Sequence, residues 1–191
     1  YAQHTHAQPT YPVTLRPYRG LLPFKQRHSR FFYGRDQEIA EVLDELENIE
    51  RQGARRLYMV HGASGSGKSS LVMAGVIPRL IAQPDRNWAW TRMVPGTDPR
   101  GNLTRALVHR PPADTWWVLL VDQFEEIFTQ LGDTDEARRI RQDTVDSLCA
   151  LAEEPGGKSF VLCTMRDGFG EMCGAVRLGR DMALDQIFSK A

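Results

Sequence analysis

The 191-residue chain has the length of one medium domain with room for a sizeable hydrophobic core. Its 24 lysines and arginines balance 24 aspartates and glutamates, so net charge does not draw it toward nucleic acid or an anionic membrane; only a local patch could. The longest apolar run, WWVLLV, is far too short to cross a bilayer, and no signal-peptide pattern opens the sequence, so a soluble protein is expected.

The opening stretch, YAQHTHAQPTYPVTLRP, lacks an initiator methionine and is polar and proline-rich. Residues 1–19 read as an interdomain linker, and the chain as a piece of a longer polypeptide. His4 and His6 read as bystanders rather than metal ligands. In FFYGRDQEIAEVLDELENIERQ, the residues Ile39, Val42, Leu43, Leu46 and Ile49 recur at helical spacing, and Asp36 suits an N-cap. An amphipathic helix over 36–51 is predicted, ended by Gly53.

RLYMV is a short strand, followed by a glycine-rich loop. KSSLVMAGVIPRLIA continues as a helix that bends or ends near Pro78. WAWTRMV reads as a second strand, PGTDP as a turn and NLTRALVH as a short helix. WWVLLV is the continuous apolar run that a strand buried on both faces requires. TDEARRIRQDTVDSLCALAEE places Ala137, Ile140, Thr144, Leu148 and Leu151 on one helical face. SFVLCTM is the fourth strand, and residues 171–191 are weakly helical.

Cys149, Cys163 and Cys173 are odd in number and show no C-x-x-C spacing. They read as buried reduced thiols, which fits a reducing cytosol and a cytoplasmic location. Strands alternating with helices imply parallel pairing through right-handed crossovers, and so a three-layer α/β domain over 20–170.

The stretch VHGASGSGKSSL, residues 60–71, carries the chemistry. From Gly62 to Ser69 it reads G-x-x-x-x-G-K-S, follows a predicted strand and opens a predicted helix. Phosphates are compact and highly charged, and backbone N–H groups surround them most closely where no β-carbon intervenes. Gly62, Gly65 and Gly67 remove that obstruction, and Ser64, Ser66 and Ser70 complete the small-residue wrap. The helix beginning at Lys68 adds its free N–H donors and partial positive charge. Lys68 can reach β- and γ-phosphates, while the Ser69 hydroxyl can ligate Mg²⁺.

A second magnesium-directed acid is expected at the end of a neighbouring strand. Asp122, directly after WWVLLV, would emerge at the C-terminal edge of the sheet and is the Walker B candidate. Hydrolysis also needs a base to orient water. The position after Asp122 is Gln123, which leaves Glu125 and Glu126 as candidates; both could equally be first-turn acids stabilising a helix. Arg166, just past the fourth strand, could sense the γ-phosphate or pair with Asp167 or Asp181.

PYRGLLPF, FFYGRDQEI, GASGSGKSSLVMAGVIPRL, LLVDQFEEIFTQ and FVLCTMRDGF together resemble the NTPase module of the STAND signal-transduction ATPases, of the novel STAND NTPase type found in large bacterial proteins. The resemblance covers roughly residues 17–170. It implies an ASCE-type P-loop NTPase fold in which the sensor strand separates the glycine-loop strand from the Walker B strand. It also places the hhGR motif on Phe32, Tyr33, Gly34 and Arg35, with Tyr33 and Gly34 expected near the base and Arg35 beside them; Phe31 and Phe32 could instead fill core. Adenine nucleotide, ATP or ADP, with Mg²⁺, is the implied ligand.

Such proteins are switches. ADP holds a closed monomer, and exchange for ATP permits self-association that activates a fused effector. Slow turnover then resets the signal. Family members have five core strands where four are visible here, and a longer insert before Walker B. The lid and winged-helix region expected after the sensor strand would follow residue 170, which makes 171–191 the start of a missing remainder. Three other functions compete: a nucleotide-gated scaffold without turnover, a small-molecule P-loop kinase, and a nucleic-acid ATPase of the AAA+ kind. The last lacks a basic stripe to support it.

Overall fold

The computed structural model describes residues 22–174, 176–178 and 182–183; the linker reading of 1–19 lies outside them. A 3-10 helix, Gln26–Phe31, precedes α1 (Asp36–Arg51) and β1 (Leu57–Gly62). A helical segment then runs from the glycine loop in three parts: α2 (Lys68–Ser70), a π-helical stretch (Leu71–Val76) and α3 (Ile77–Ile81). β2 (Trp88–Met93), α4 (Pro99–Leu107), β3 (Trp116–Val121), α5 (Glu126–Thr129), α6 (Asp135–Glu153) and β4 (Ser159–Arg166) follow. α7 (Gly170–Cys173) and two short strands, β5 (Arg177–Leu178) and β6 (Met182–Ala183), complete the described elements.

The main sheet has the order β1-β4-β3-β2, with every pair parallel. Parallel neighbours need crossovers, and the helices between the strands supply them. The expected order is therefore present: β4 lies between β1 and β3.

Burial on both faces explains the unbroken apolar run of β3. Trp117, Leu119 and Val121 pack with Leu103 and Ala106 of α4 and with Val145, Leu148 and Ala152 of α6. Val118 and Leu120 point the other way, into a cluster with Ile39, Val42 and Leu46 of α1 and with Val72 and Ile77. Strand periodicity of two sends alternate side chains into separate cores, and helices cover each, giving three layers. Among the described residues no helix is long and apolar enough to cross a membrane.

α1 occupies 36–51 as expected, with Ile39, Val42, Leu46 and Ile49 buried. Three elements depart from expectation. α4 starts at Pro99, inside the predicted turn, because the Asp98 carboxylate caps the Gly101 N–H at 2.9 Å and Pro99 suits the first helical turn. The helix through Pro78 continues to Ile81, and the π stretch just before it loosens the turns that the proline ring would otherwise crowd. Beyond Cys173 the tail is not helical where it is described: Arg177 pairs with Ala183 and Leu178 with Met182, antiparallel. A segment so short gains too little from its own helical hydrogen bonds to keep that form.

Candidate functional site

Parallel pairing brings the C-terminal ends of β1, β3 and β4 to one sheet edge, where α2 begins. A cleft of about 580 Å³ opens there. Gly65, Lys68, Ser69, Asp122, Glu125 and Arg166 line it, with Leu22, Pro23 and Phe24 on one side. Its volume is that of a small-molecule site.

The glycine loop owes its shape to backbone conformation. Gly65 (φ 76°) and Gly67 (φ 86°) both lie in the left-handed region, and at Gly65 a β-carbon would meet nothing, so the φ angle itself demands glycine. Lys68 Nζ reaches back across the loop and donates to the Gly62 carbonyl at 2.7 Å and the Ala63 carbonyl at 2.8 Å. The ammonium is thus held at the loop's mouth by backbone carbonyl dipoles. Arg35 braces the loop from outside, donating from Nη1 to the Ser66 carbonyl at 3.0 Å and from Nε to Glu38.

Asp122 is 1% exposed and bonded at both oxygens. Oδ1 accepts the Ser69 hydroxyl and the Thr164 hydroxyl, each at 2.6 Å. Oδ2 accepts Arg92 Nε at 2.9 Å and Arg92 Nη2 at 2.7 Å. Gln123 follows with a positive φ of 59°, and its N–H donates to Thr164 Oγ1 at 3.0 Å, which turns the chain sharply away from the strand.

That turn separates the two glutamates. Glu125 is buried and accepts Arg166 Nε at 2.8 Å, inside the cleft. The Glu126 carboxylate turns to the loop after β2 and accepts the Gly96 N–H at 3.0 Å. Of the partners expected for Arg166, Asp167 instead faces His61 Nδ1 at 3.1 Å, and Asp181 lies outside the described residues.

The structure therefore assembles Lys68, Ser69, Asp122, Glu125, Glu126 and Arg166 around one cleft, with Ser64, Gly65, Gly67 and Ser70 along the same wall; the Glu126 carboxylate is engaged by the Gly96 N–H. Tyr33, Gly34, Arg35, Gly62 and Ser66 lie outside that lining; Tyr33 is 80% exposed, and Arg35 touches the loop from behind. Ser70 is buried, and its hydroxyl accepts the Phe24 N–H at 3.0 Å. Three participants escaped sequence reasoning: Arg92, Thr164 and the Phe24 backbone. A cation near the end of WAWTRMV and a hydroxyl near the end of SFVLCTM were the available signals, each a polar residue within a mostly apolar strand.

The family model described as Novel STAND NTPase 1 matches residues 17–188. The chain belongs to this family. As a novel STAND NTPase it is a nucleotide-binding NTPase module. A search of curated proteins finds no match. Among solved structures, the ORC2 protein of Aeropyrum pernix, described as ADPNP–ADP complexes, is similar at a TM-score of 0.52 and 16% identity. The match covers 71% of this novel STAND NTPase and 42% of that protein, so the chain spans less than half of its neighbour's length. At that identity the likeness shows the shared fold, an α/β P-loop ATPase architecture.

Proposed function

We propose that this NTPase module is an ATP/ADP switch of a larger bacterial signalling or defence protein, with slow Mg²⁺-dependent ATP hydrolysis that controls self-association and a fused effector. The observation that carries the reading is the Ser69–Asp122 hydrogen bond of 2.6 Å at the mouth of the glycine loop. Among the described residues no group of three or more His, Cys, Asp or Glu could hold a metal. The hydroxyl and carboxylate oxygens of Ser69 and Asp122 are nonetheless the hard donors that Mg²⁺ prefers when phosphate oxygens supply the rest. Bound there, Mg²⁺ would neutralise charge on the β- and γ-phosphates.

The chain's own residues do the remaining work. Loop N–H groups from Ser64 to Ser70 bind the phosphates, and Lys68 exchanges the Gly62 and Ala63 carbonyls for phosphate oxygens. Tyr33, Gly34 and Arg35, outside the cleft lining, would contact the base beyond the cleft's edge. Arg166 and Glu125 supply the discrimination. A γ-phosphate offers Arg166 a stronger anion than Glu125, and Glu125, once released, orients the attacking water. ADP lacks that group and leaves the pair intact. The module would thus differ in conformation between its two nucleotides, which is what a switch requires.

The test measures binding of ATP, ADP and GTP, phosphate release, and self-association in each nucleotide state. The expected result is adenine preference, slow release and association with ATP alone. Equal association in ATP and ADP would sink the switch. A second reading, a nucleotide-gated scaffold without turnover, is favoured by Gln123 at the position after Asp122; ATP bound tightly and never hydrolysed would select it.

A further inference from the structure

Asp122 does not wait for a metal to offset its charge. Arg92 is the penultimate residue of β2, and parallel pairing sets it level with Leu120, two residues before the acid. The Asp122 N–H donates to the Met93 carbonyl at 2.9 Å, which locks the two strand ends together. From there the guanidinium places two nitrogens on Oδ2. A planar, rigid donor gripping one oxygen fixes the carboxylate plane, so Oδ1 is turned toward Ser69 and Thr164.

This grip has an electrostatic side. A carboxylate 1% exposed has little water to stabilise it, and the guanidinium, its side chain 40% exposed, takes that part. A divalent cation drawn to Asp122 meets an acid whose charge is already offset, with a fixed positive charge beside it. At hydrogen-bonding range water at the cleft mouth screens that repulsion only in part.

Resting on the nucleotide-site reading above, we infer that Arg92 is a positioning residue that presets Asp122 and makes nucleotide loading nearly independent of Mg²⁺. The cation's usual share in holding the Walker B acid in place is taken by a side chain of the protein.

Calorimetric titration of the full chain with ADP, in excess MgCl₂ and again in EDTA, tests this. For the wild type, Kd differs by less than about threefold between the two conditions. For Arg92→Gln, which leaves Asp122 without a cation, ADP binds at least about tenfold more tightly with Mg²⁺ than in EDTA. Arg92→Lys, which keeps the charge and loses the fork, falls between them. A wild-type gain of about tenfold or more from Mg²⁺ would overturn the inference, as would an unchanged Mg²⁺ ratio in Arg92→Gln. Should Arg92→Gln fail to fold, the two wild-type titrations decide alone. Absence of ADP binding in both conditions would overturn the site reading itself, and this inference with it; a large Mg²⁺ gain overturns only the role of Arg92.

Discussion

Glu125 holds Arg166 twice: Oε1 accepts its Nε at 2.8 Å, and Oε2 accepts its backbone N–H at 3.3 Å. The acid is nearly enclosed, whereas 44% of the arginine side chain is exposed, so the arginine is the partner free to move. Glu125→Gln should lower phosphate release about a hundredfold or more, whereas Glu126→Gln, which keeps an acceptor for Gly96, should stay within about threefold of wild type. Equal losses in the two variants would remove Glu125 from its proposed role.

Lys68 spans the loop mouth through two carbonyl hydrogen bonds. Lys68→Ala removes the cation that faces the bound phosphates, and affinity for ATP and ADP should fall at least about a hundredfold by calorimetry. Affinity equal to wild type would place the nucleotide elsewhere.

Gly75 lies in the π stretch, where a β-carbon would stand 2.6 Å from Ile39 Cδ1 and 2.8 Å from its Cγ1. Ile39 is buried in the core, so making room means repacking its side chain against Val42, Val72 and Ile77. Gly75→Ala should cost about 1–3 kcal/mol of stability, read as a lower urea midpoint. An unchanged midpoint would mean that α1 slides freely on this helix.

Burial pushes the Cys149 thiol from its ordinary 9.0 up to about 11, and raises Cys163 further. A folded-state value above the unfolded one means the native protein holds the proton more tightly. That contribution is complete below about pH 9 and is lost as pH rises toward 11. Urea midpoints should therefore fall across that window, and Cys149→Ala should flatten part of the slope. Neither thiol should react with alkylating reagents at pH 8 until the chain unfolds, because the reactive thiolate is suppressed. Rapid native labelling of Cys149 would contradict the burial argument.

The parts legible in the sequence were those governed by local chemistry. Glycine spacing announced the loop because positive φ angles restrict the residue type. Six apolar residues in a row announced β3 because two helical layers cover it. The apolar spacing of α1 was legible for the same reason, one face buried and the other wet. What could not be read depends on pairing between distant strands. Arg92 reaches Asp122 only because β2 and β3 lie side by side in one particular register, and a single sequence does not display register. Thr164 reaches the same acid through the other neighbour of β3. Glu125 and Glu126 are chemically identical and adjacent and both line the cleft, and only the turn at Gln123 gives one Arg166 as its partner and the other the Gly96 N–H. The early start of α4 came from one capping carboxylate, which in the bare sequence resembled a turn residue.

The hydrogen bond from the Phe24 amide to the Ser70 hydroxyl ties together positions 46 residues apart. It works as a tether: the chain at Phe24 is fastened one residue beyond Ser69, on the first turn of the helix that follows the glycine loop. Phe24 and the start of the glycine-loop helix are therefore joined directly, in addition to the packing of the 3-10 helix on the π stretch. A shift at either position bears on the other without passing through the sheet.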